Sequence, residues 1–541
     1  MALCLILICA GFLRFYNLGG SSFWVDELNH VFAGISLSKG EAPVFPSGVP
    51  NERAYLYSKF VGWSFSLFRV NEASARVPSA VLGLLSVLLV FWIGKRWFDE
   101  RIGLVAAFLL AFAHPEIGWS RTCRMYTLFQ FLFLSGVYLF YKGFESQPVC
   151  SEDENGSFLS KIKYFFRKRG VQFLWILLST VVFLIALQVH QLAGLFAATL
   201  FIYFFGGTIV IFLRDGLKPG LASKYFIAFS IMLITIFVGL VFFHLGDFIR
   251  YALDFHPNWA KYGRAEDSHF YFWFLASGDK FPIAAFFFIG VLQSFVRLEK
   301  RTMFISLVFI VPLFFHSFVF SYKANNYIFN VLPFYFLVAA YSMVNLYDME
   351  MVNVDIFNSK LGRFKRFMSP SRTRIFVTVA LLIWIPLTVW FRIAVKTPFV
   401  QPGENNGAVT SNDWRDASRF IRSRQQNGDI VASTLPLTTL YYLGKVDYNL
   451  NLAHLDESLE WTTPATNGRH NEFYTGVPSV ETVKELENLM KSKSSGWIMA
   501  DVYRFDRPQY VSEELAMYIK THLQEVWTDK NHTMVVYFWS S

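Results

Sequence analysis

The sequence predicts a polytopic α-helical membrane protein that ends in a C-terminal α/β domain. Three observations carry this class. Charged residues make up only 16% of the 541 positions, where a soluble domain has roughly a quarter. Apolar runs near 20 residues recur through the first 395 positions, in a chain with 61 Phe, 25 Tyr and a mean hydropathy of +0.36. Beyond them the pattern changes to short strand-like and helix-like segments in alternation.

The apolar runs predict about eleven spans of membrane-crossing length: 1–13, 77–94, 102–115, 125–141, 171–189, 192–213, 225–245, 281–296, 303–321, 327–347 and 375–394. The first lacks a basic n-region and a clean small-x-small cleavage site, so it reads as a retained helix. Residues 52–69 are aromatic but carry Arg53, Lys59 and Arg69, which predicts a helix lying in the interface plane of the first outer loop, 14–76. With the N-terminus in the cytoplasm, the basic residues concentrate in the cytoplasmic loops, as orientation by positive charge requires. That topology makes the chain a multi-pass protein of a cytoplasmic or inner membrane and places 396–541 outside.

Charge by region separates membrane topology from nucleic-acid binding. The net charge is +9, yet residues 396–541 hold 14 basic and 18 acidic side chains, so the positive excess belongs to the apolar part. Basic loops there orient helices, and no nucleic-acid partner is expected. Four cysteines are too few for a disulfide framework. In the C-terminal domain, 413–424 and 481–491 read as helices, and 429–435, 496–502 and 534–539 as strands.

Three outer clusters hold the chemistry-bearing residues. Phe23-Trp24-Val25-Asp26-Glu27, preceded by Arg14, sets two carboxylates side by side at the membrane edge, where they serve as a base, as metal ligands, or as a solvated pair. His114-Pro115-Glu116 with Ser120-Arg121-Thr122-Cys123-Arg124-Met125-Tyr126 places two arginines three apart, a spacing that can share one helix face and meet a phosphate, or snorkel at the interface. Lys323-Ala324-Asn325-Asn326-Tyr327 supplies a lone lysine that binds a lipid phosphate or anchors its helix. His190, between two spans on the same side, is a weaker candidate. There is no Walker loop, no dinucleotide glycine fingerprint and no zinc-type cysteine spacing.

Over residues 14–145 the order and spacing of these motifs resemble the polytopic glycosyltransferases that use polyprenyl-phosphate sugars: the protein O-mannosyltransferases and the aminoarabinose transferase of lipid A, of the glycosyltransferase family 39 type within the GT-C fold. The resemblance rests on RFYNLGGSSFWVDE at 14–27, Arg76-Val77-Pro78-Ser79-Ala80, Gly94-Lys95-Arg96-Trp97-Phe98, and Ser120 to Tyr126. A looser likeness covers Lys323-x-x-x-Tyr327 with Pro333, where many members carry Arg and this chain has Asn326.

The resemblance implies an inverting transfer of a sugar from a polyprenyl-phosphate donor to an acceptor hydroxyl of a protein, lipid or glycan, amid membrane lipids. It implies Asp26 as general base, Glu27 as its support, and Arg121, Arg124, Lys323 and Tyr327 around the leaving phosphate. Arg14, Lys59, Glu116, Tyr126 and His190 would support them. No cofactor is required; a divalent metal, where one is used, would sit on Asp26 and Glu27. The competing class is a polytopic transporter or channel with an outer sensing domain. It calls for charges inside the spans or repeated halves, whereas here charge gathers on the outer rim.

Overall fold

The computed structural model describes residues 1–148, 164–242, 246, 267–277, 280–320, 323–348, 413–452, 462–466 and 469–540. The chain divides into two compact units, one of 1–14, 82–117 and 126–396, the other of 15–81, 118–125 and 397–541.

The first unit is helical. Ten of the eleven expected spans overlap helices, and the eleventh, 375–394, lies outside the described residues. Five helices among the described residues are long and apolar enough to cross a membrane, or seven if two bent pairs each count as one span. Glu100–Phe112 and His114–Ser120 form one such pair, bent by 63°. The bend falls where Pro115 opens the second helix, a position proline tolerates only at a helix start. Small residues let helices approach closely, as lipid-embedded packing demands. A Cβ added to Gly103 would come 2.6 Å from the Phe91 carbonyl oxygen. The span expected at 327–347 begins with two 3₁₀ turns, Asn325–Tyr327 and Phe329–Val331, before the helix Leu332–Asp348.

The second unit joins the first outer loop to the C-terminal domain. The loop, expected from sequence to carry one interfacial helix at 52–69, holds two helices, Val25–Ser38 and Tyr55–Phe68. Among the described residues, seven strands follow in the C-terminal region: β1 Ile430–Ser433, β2 Tyr448–Asn449, β3 Thr462–Thr466, β4 Arg469–Glu472, β5 Ser495–Asp501, β6 Gln524–Thr528 and β7 Met534–Ser540. Five form a sheet in the order β2-β1-β5-β7-β6, with β1 parallel to both β2 and β5 and β7 antiparallel to β5 and β6. β3 and β4 make a separate hairpin.

Alternation along the central strands sends Ile430, Ala432, Ile498 and Ala500 to one buried face, with Leu486 and Leu515 from helices Val483–Ser492 and Glu513–His522. Val431, Trp497 and Met499 go to the other, with Trp414, Ile421 and Leu443 from helices Trp414–Arg422 and Pro436–Leu443. Both faces are therefore covered, which is why these strands read as continuous apolar runs.

Candidate active site

The Asp26-Glu27 pair does not lie on a loop. It forms the first turn of the helix Val25–Ser38, where negative charge opposes the helix dipole. Trp24 at the N-cap has no side-chain oxygen to offer; instead its own N–H donates to Glu27 Oε2 at 2.9 Å, so Glu27 turns back to close the helix start.

Glu27 is fully buried, and Arg76 meets it with both arms of its fork, Nε to Oε1 at 2.8 Å and Nη2 to Oε2 at 2.9 Å. The Cys123 N–H adds a third partner at 2.7 Å to Oε1. Buried charge is tolerable only with such pairing. The same guanidinium holds the preceding segment: Arg76 donates to the carbonyls of Leu18, Ser21 and Ser22 at 3.0–3.1 Å. Arg76, the residue that opens the Arg-x-Pro-Ser-Ala motif, is thus a site residue that sequence reasoning did not assign. Its signal was an arginine immediately before an apolar span.

Asp26 has the opposite environment. Its side chain is 39% exposed, with Arg124 Nη2 3.5 Å from Oδ2. Arg124 also donates from Nη1 to the Asp26 carbonyl at 2.8 Å and lies over the Trp24 ring. Arg124 itself is buried, and its backbone is tied down: its carbonyl accepts from Ser79 Oγ at 3.1 Å, and Ser79 in turn meets the Tyr57 hydroxyl at 2.7 Å.

The two arginines of the 120–126 motif do not share a helix face. Residues 121–125 form tight turns after the helix His114–Ser120, with the Arg124 N–H bonded to the Thr122 carbonyl at 2.8 Å. Arg121 therefore reaches elsewhere, to the carbonyls of Tyr16 at 2.8 Å and Asn17 at 3.3 Å. Burial and the neighbouring Arg76 pull its guanidinium down to about 10.

Two further groups face this side of the helix. His30, one turn beyond Asp26, is buried with Nδ1 3.0 Å from Ser58 Oγ and its ring edge-on to Tyr57. Burial, with the positive charges of Arg124 and Arg53, holds its imidazole well below the usual histidine range. Arg53 is exposed and makes no hydrogen bond or ion pair among the described residues. Its charge and those of Asp26 and Arg124 all act on the buried hydroxyl of Tyr474, in the C-terminal domain. Sequence reasoning used Arg53 only to place the interfacial helix. Lys59, on that helix, stands over the Tyr55 ring at 5.1 Å.

The remaining expected residues lie in the first unit. Lys323 is buried, and its ammonium donates to the carbonyls of His316 at 2.8 Å, Ser317 at 3.0 Å and Phe320, closing the π-helical turn Phe315–Val319. Tyr327 stacks on His316 and meets His190 edge-on; His190 stacks on Phe129 and neighbours Tyr126. Asn326 donates to the Tyr126 hydroxyl at 2.9 Å. Glu116 accepts from Gln130 Nε2 at 2.8 Å, and the same amide nitrogen donates to the Phe329 carbonyl at 2.7 Å. Arg14 donates to the carbonyls of Ala10 and Ala111. So Lys323, Tyr327, Tyr126 and His190 form one aromatic-lined cluster, while Arg14 secures the C-terminal end of the helix Glu100–Phe112.

Among the described residues, no three of His, Cys, Asp and Glu gather where one metal ion would be held. The donor set is also unsuited to a two-carboxylate cradle, since both Glu27 oxygens already accept hydrogen bonds.

Comparisons with known proteins bear on the fold. A family model described as dolichyl-phosphate-mannose-protein mannosyltransferase matches residues 53–149. No curated protein sequence matches the chain. Among solved structures, ArnT from Cupriavidus metallidurans bound to undecaprenyl phosphate is 13% identical, with a TM-score of 0.54 over 99% of this chain and 97% of that one. The oligosaccharyltransferase AglB from Archaeoglobus fulgidus, in complex with an inhibitory peptide and a dolichol-phosphate, is 12% identical, with a TM-score of 0.58 over 100% of this chain and 74% of that one. The Archaeoglobus enzyme with Zn and sulfate gives 11% and 0.53 over 99% and 72%. The chain is therefore a multi-pass membrane protein with the GT-C fold. Residues 53–149 match the mannosyltransferase family model, and the fold is similar to that of ArnT and AglB.

Proposed function

We propose that the protein is an integral membrane glycosyltransferase. It moves a sugar from a polyprenyl-phosphate donor to an acceptor hydroxyl of a protein, lipid or glycan, at the outer face of the membrane. The observation that carries this reading is the asymmetry of the carboxylate pair. Glu27 is locked by Arg76, and that lock presents Asp26, part-exposed and beside Arg124, at a rigid helix start.

In this reading Asp26 takes the proton of the acceptor hydroxyl as its oxygen attacks the anomeric carbon. The bond from that carbon to the phosphate oxygen breaks, and the electron pair leaves on the phosphate. Direct displacement inverts the anomeric centre. A positioned base contributes about 10²–10⁴-fold. The departing phosphate needs cations aimed at it in advance. Arg124 and the exposed Arg53 supply positive charge on the Asp26 side. The resemblance adds Arg121, Lys323 and Tyr327 as donor ligands. For Arg121 and Lys323 the carbonyl contacts give a second use, in holding the 16–17 turn and closing the 315–319 turn. Glu27 supports Asp26 by position; a divalent ion, where one is used, would have Asp26 as its carboxylate.

The transmembrane part is taken as 1–395 and the soluble domain as 396–541, the latter outside a cytoplasmic or inner membrane. Intramembrane charge of the transporter type is not what the site is built from.

The test is to incubate purified protein with labelled polyprenyl-phosphate sugars and membrane extract, and to follow the label. Wild-type protein should label an acceptor, and Asp26→Asn should cut transfer by about 10²–10⁴-fold while remaining folded. Wild-type turnover by Asp26→Asn would refute the base assignment.

A further inference from the structure

The segment that leads into Asp26 is held from two sides, and the second hold comes from the C-terminal domain. Glu72 and Arg76 stand one turn apart on the helix Glu72–Trp97. Arg76 grips Leu18, Ser21, Ser22 and Glu27. Glu72, on the same face, meets the C-terminal domain: its Oε1 accepts from Arg415 Nη2 at 2.6 Å, Arg415 Nε at 3.1 Å and the Tyr442 hydroxyl at 2.9 Å.

Both of those C-terminal residues also hold the segment itself. The Phe23 N–H donates to the Tyr442 hydroxyl at 2.7 Å, three residues before Asp26. Arg415 donates from Nη2 to the carbonyls of Gly19 at 3.0 Å and Ser21 at 3.4 Å, and from its own N–H to Ser22 Oγ at 3.3 Å. The Phe23 ring completes the contact, edge-on to Tyr441 and under the Arg76 guanidinium. A charged group bonded to several neutral ones at partly buried positions is a strong, directional restraint.

We infer that Arg415 and Tyr442 are positioning residues for transfer: through Glu72 and the 19–23 backbone, the C-terminal domain fixes where the Asp26 carboxylate stands. This rests on Asp26 being the base. Neither residue touches the reacting atoms in this account. Their contribution is geometric, and a misplacement of about 1 Å far from the chemistry can cost about 10²-fold.

Tyr442→Phe removes one hydroxyl and keeps the ring. Purified full-chain protein is assayed with whichever of labelled polyprenyl-phosphate mannose, glucose and aminoarabinose the wild type turns over best. Tyr442→Phe should lose about ten-fold or more in kcat with donor KM within about two-fold. Arg415→Lys, which keeps the charge but not the fork, should behave alike. Amide hydrogen exchange should rise over 19–29. On an Asp26→Asn background Tyr442→Phe should lower the residual rate no further, because its effect runs through Asp26. Unchanged kcat in both single variants overturns the inference, as does a loss that multiplies with that of Asp26→Asn. The two readings separate cleanly: an Asp26→Asn with wild-type turnover defeats the base assignment, whereas an Asp26→Asn reduced to a residual rate beside a fully active Tyr442→Phe defeats only the positioning role.

Discussion

Asp26 and Glu27 are neighbours in sequence and opposites in environment. The Glu27 side chain is 0% exposed and bonded on both oxygens, while that of Asp26 is 39% exposed with one guanidinium 3.5 Å away. Adjacent positions on a helix face different directions, so the first turn can bury one carboxylate as an anchor and leave the next for chemistry.

Breaking the anchor should damage the fold more than the chemistry. Arg76→Met leaves Glu27 buried without its partner, a loss of about 3–5 kcal/mol. Thermal unfolding in detergent should show it as a large fall in midpoint. The paired variant Arg76→Met with Glu27→Leu should recover part of the loss, since a buried pair can often be replaced by apolar groups. A single variant as stable as wild type would contradict the anchor role.

Arg53 offers the converse case. It is exposed and makes no hydrogen bond or ion pair among the described residues, so Arg53→Gln should leave the unfolding midpoint in place. A charge-assisted hydrogen bond to phosphate is worth about 1.5–3 kcal/mol, so donor KM should rise by roughly ten-fold or more. Steady-state kinetics over donor concentration check this; an unchanged donor KM removes Arg53 from the phosphate's surroundings.

His30 predicts an acid-side loss of stability. Its folded-state imidazole is held well below the usual range by burial and by Arg124 and Arg53, so the unfolded chain binds the proton more readily. Stability is therefore fully present at neutral pH and falls as pH drops below the unfolded value of about 6.5. Unfolding midpoints between pH 7.5 and 5 should show the fall, and His30→Gln should flatten that part of the curve. A slope unaltered by His30→Gln would exclude the histidine as its source.

Lys323 has two uses that one variant can separate. Lys323→Ala should weaken donor use more than acceptor binding if the ammonium serves the phosphate. If it only closes the turn after the helix Lys300–Phe314, the unfolding midpoint falls and donor KM stays. Measuring both on the same preparation decides between them.

Topology gives a prediction independent of activity. A tag after Ser541 should be accessible from outside the cell, and a tag beside Asn155 should not. The reverse pattern would invert the charge-based orientation.

Much of the fold was legible because membrane helices and buried strands announce themselves by runs of apolar residues. The C-terminal strands at 429–435, 496–502 and 534–539 were read within two residues or so of β1, β5 and β7. The helix Glu513–His522 and strand β6 were not read: charge at Glu513, Glu514 and Lys520 hid the one, and exposed Gln524 and Glu525 the other. In the site, the clusters at 23–27 and 114–126 offered Asp26 and Arg124 among open alternatives, the family resemblance gave them their roles, and the two side chains are 3.5 Å apart. Arg76, Glu72 and Tyr442 were not assigned, because a partner 49 positions away for Arg76, and 343 to 419 away for the other two, leaves no local pattern. Arg121 shows the limit of spacing as evidence. Three residues from Arg124, it would share a helix face only in a helix, and residues 121–125 form turns instead.

The interleaving of the second unit sets an order on biosynthesis. Residues 15–81 and 118–125 leave the ribosome long before 413–540, yet they share one compact unit with them. Phe23 must wait for Tyr442, 419 positions later, before its amide finds its partner. Contacts of such separation close late, after the entropy of the intervening chain has been overcome. The segment that leads into Asp26 therefore lacks its second hold until Arg415 and Tyr442 have been synthesised.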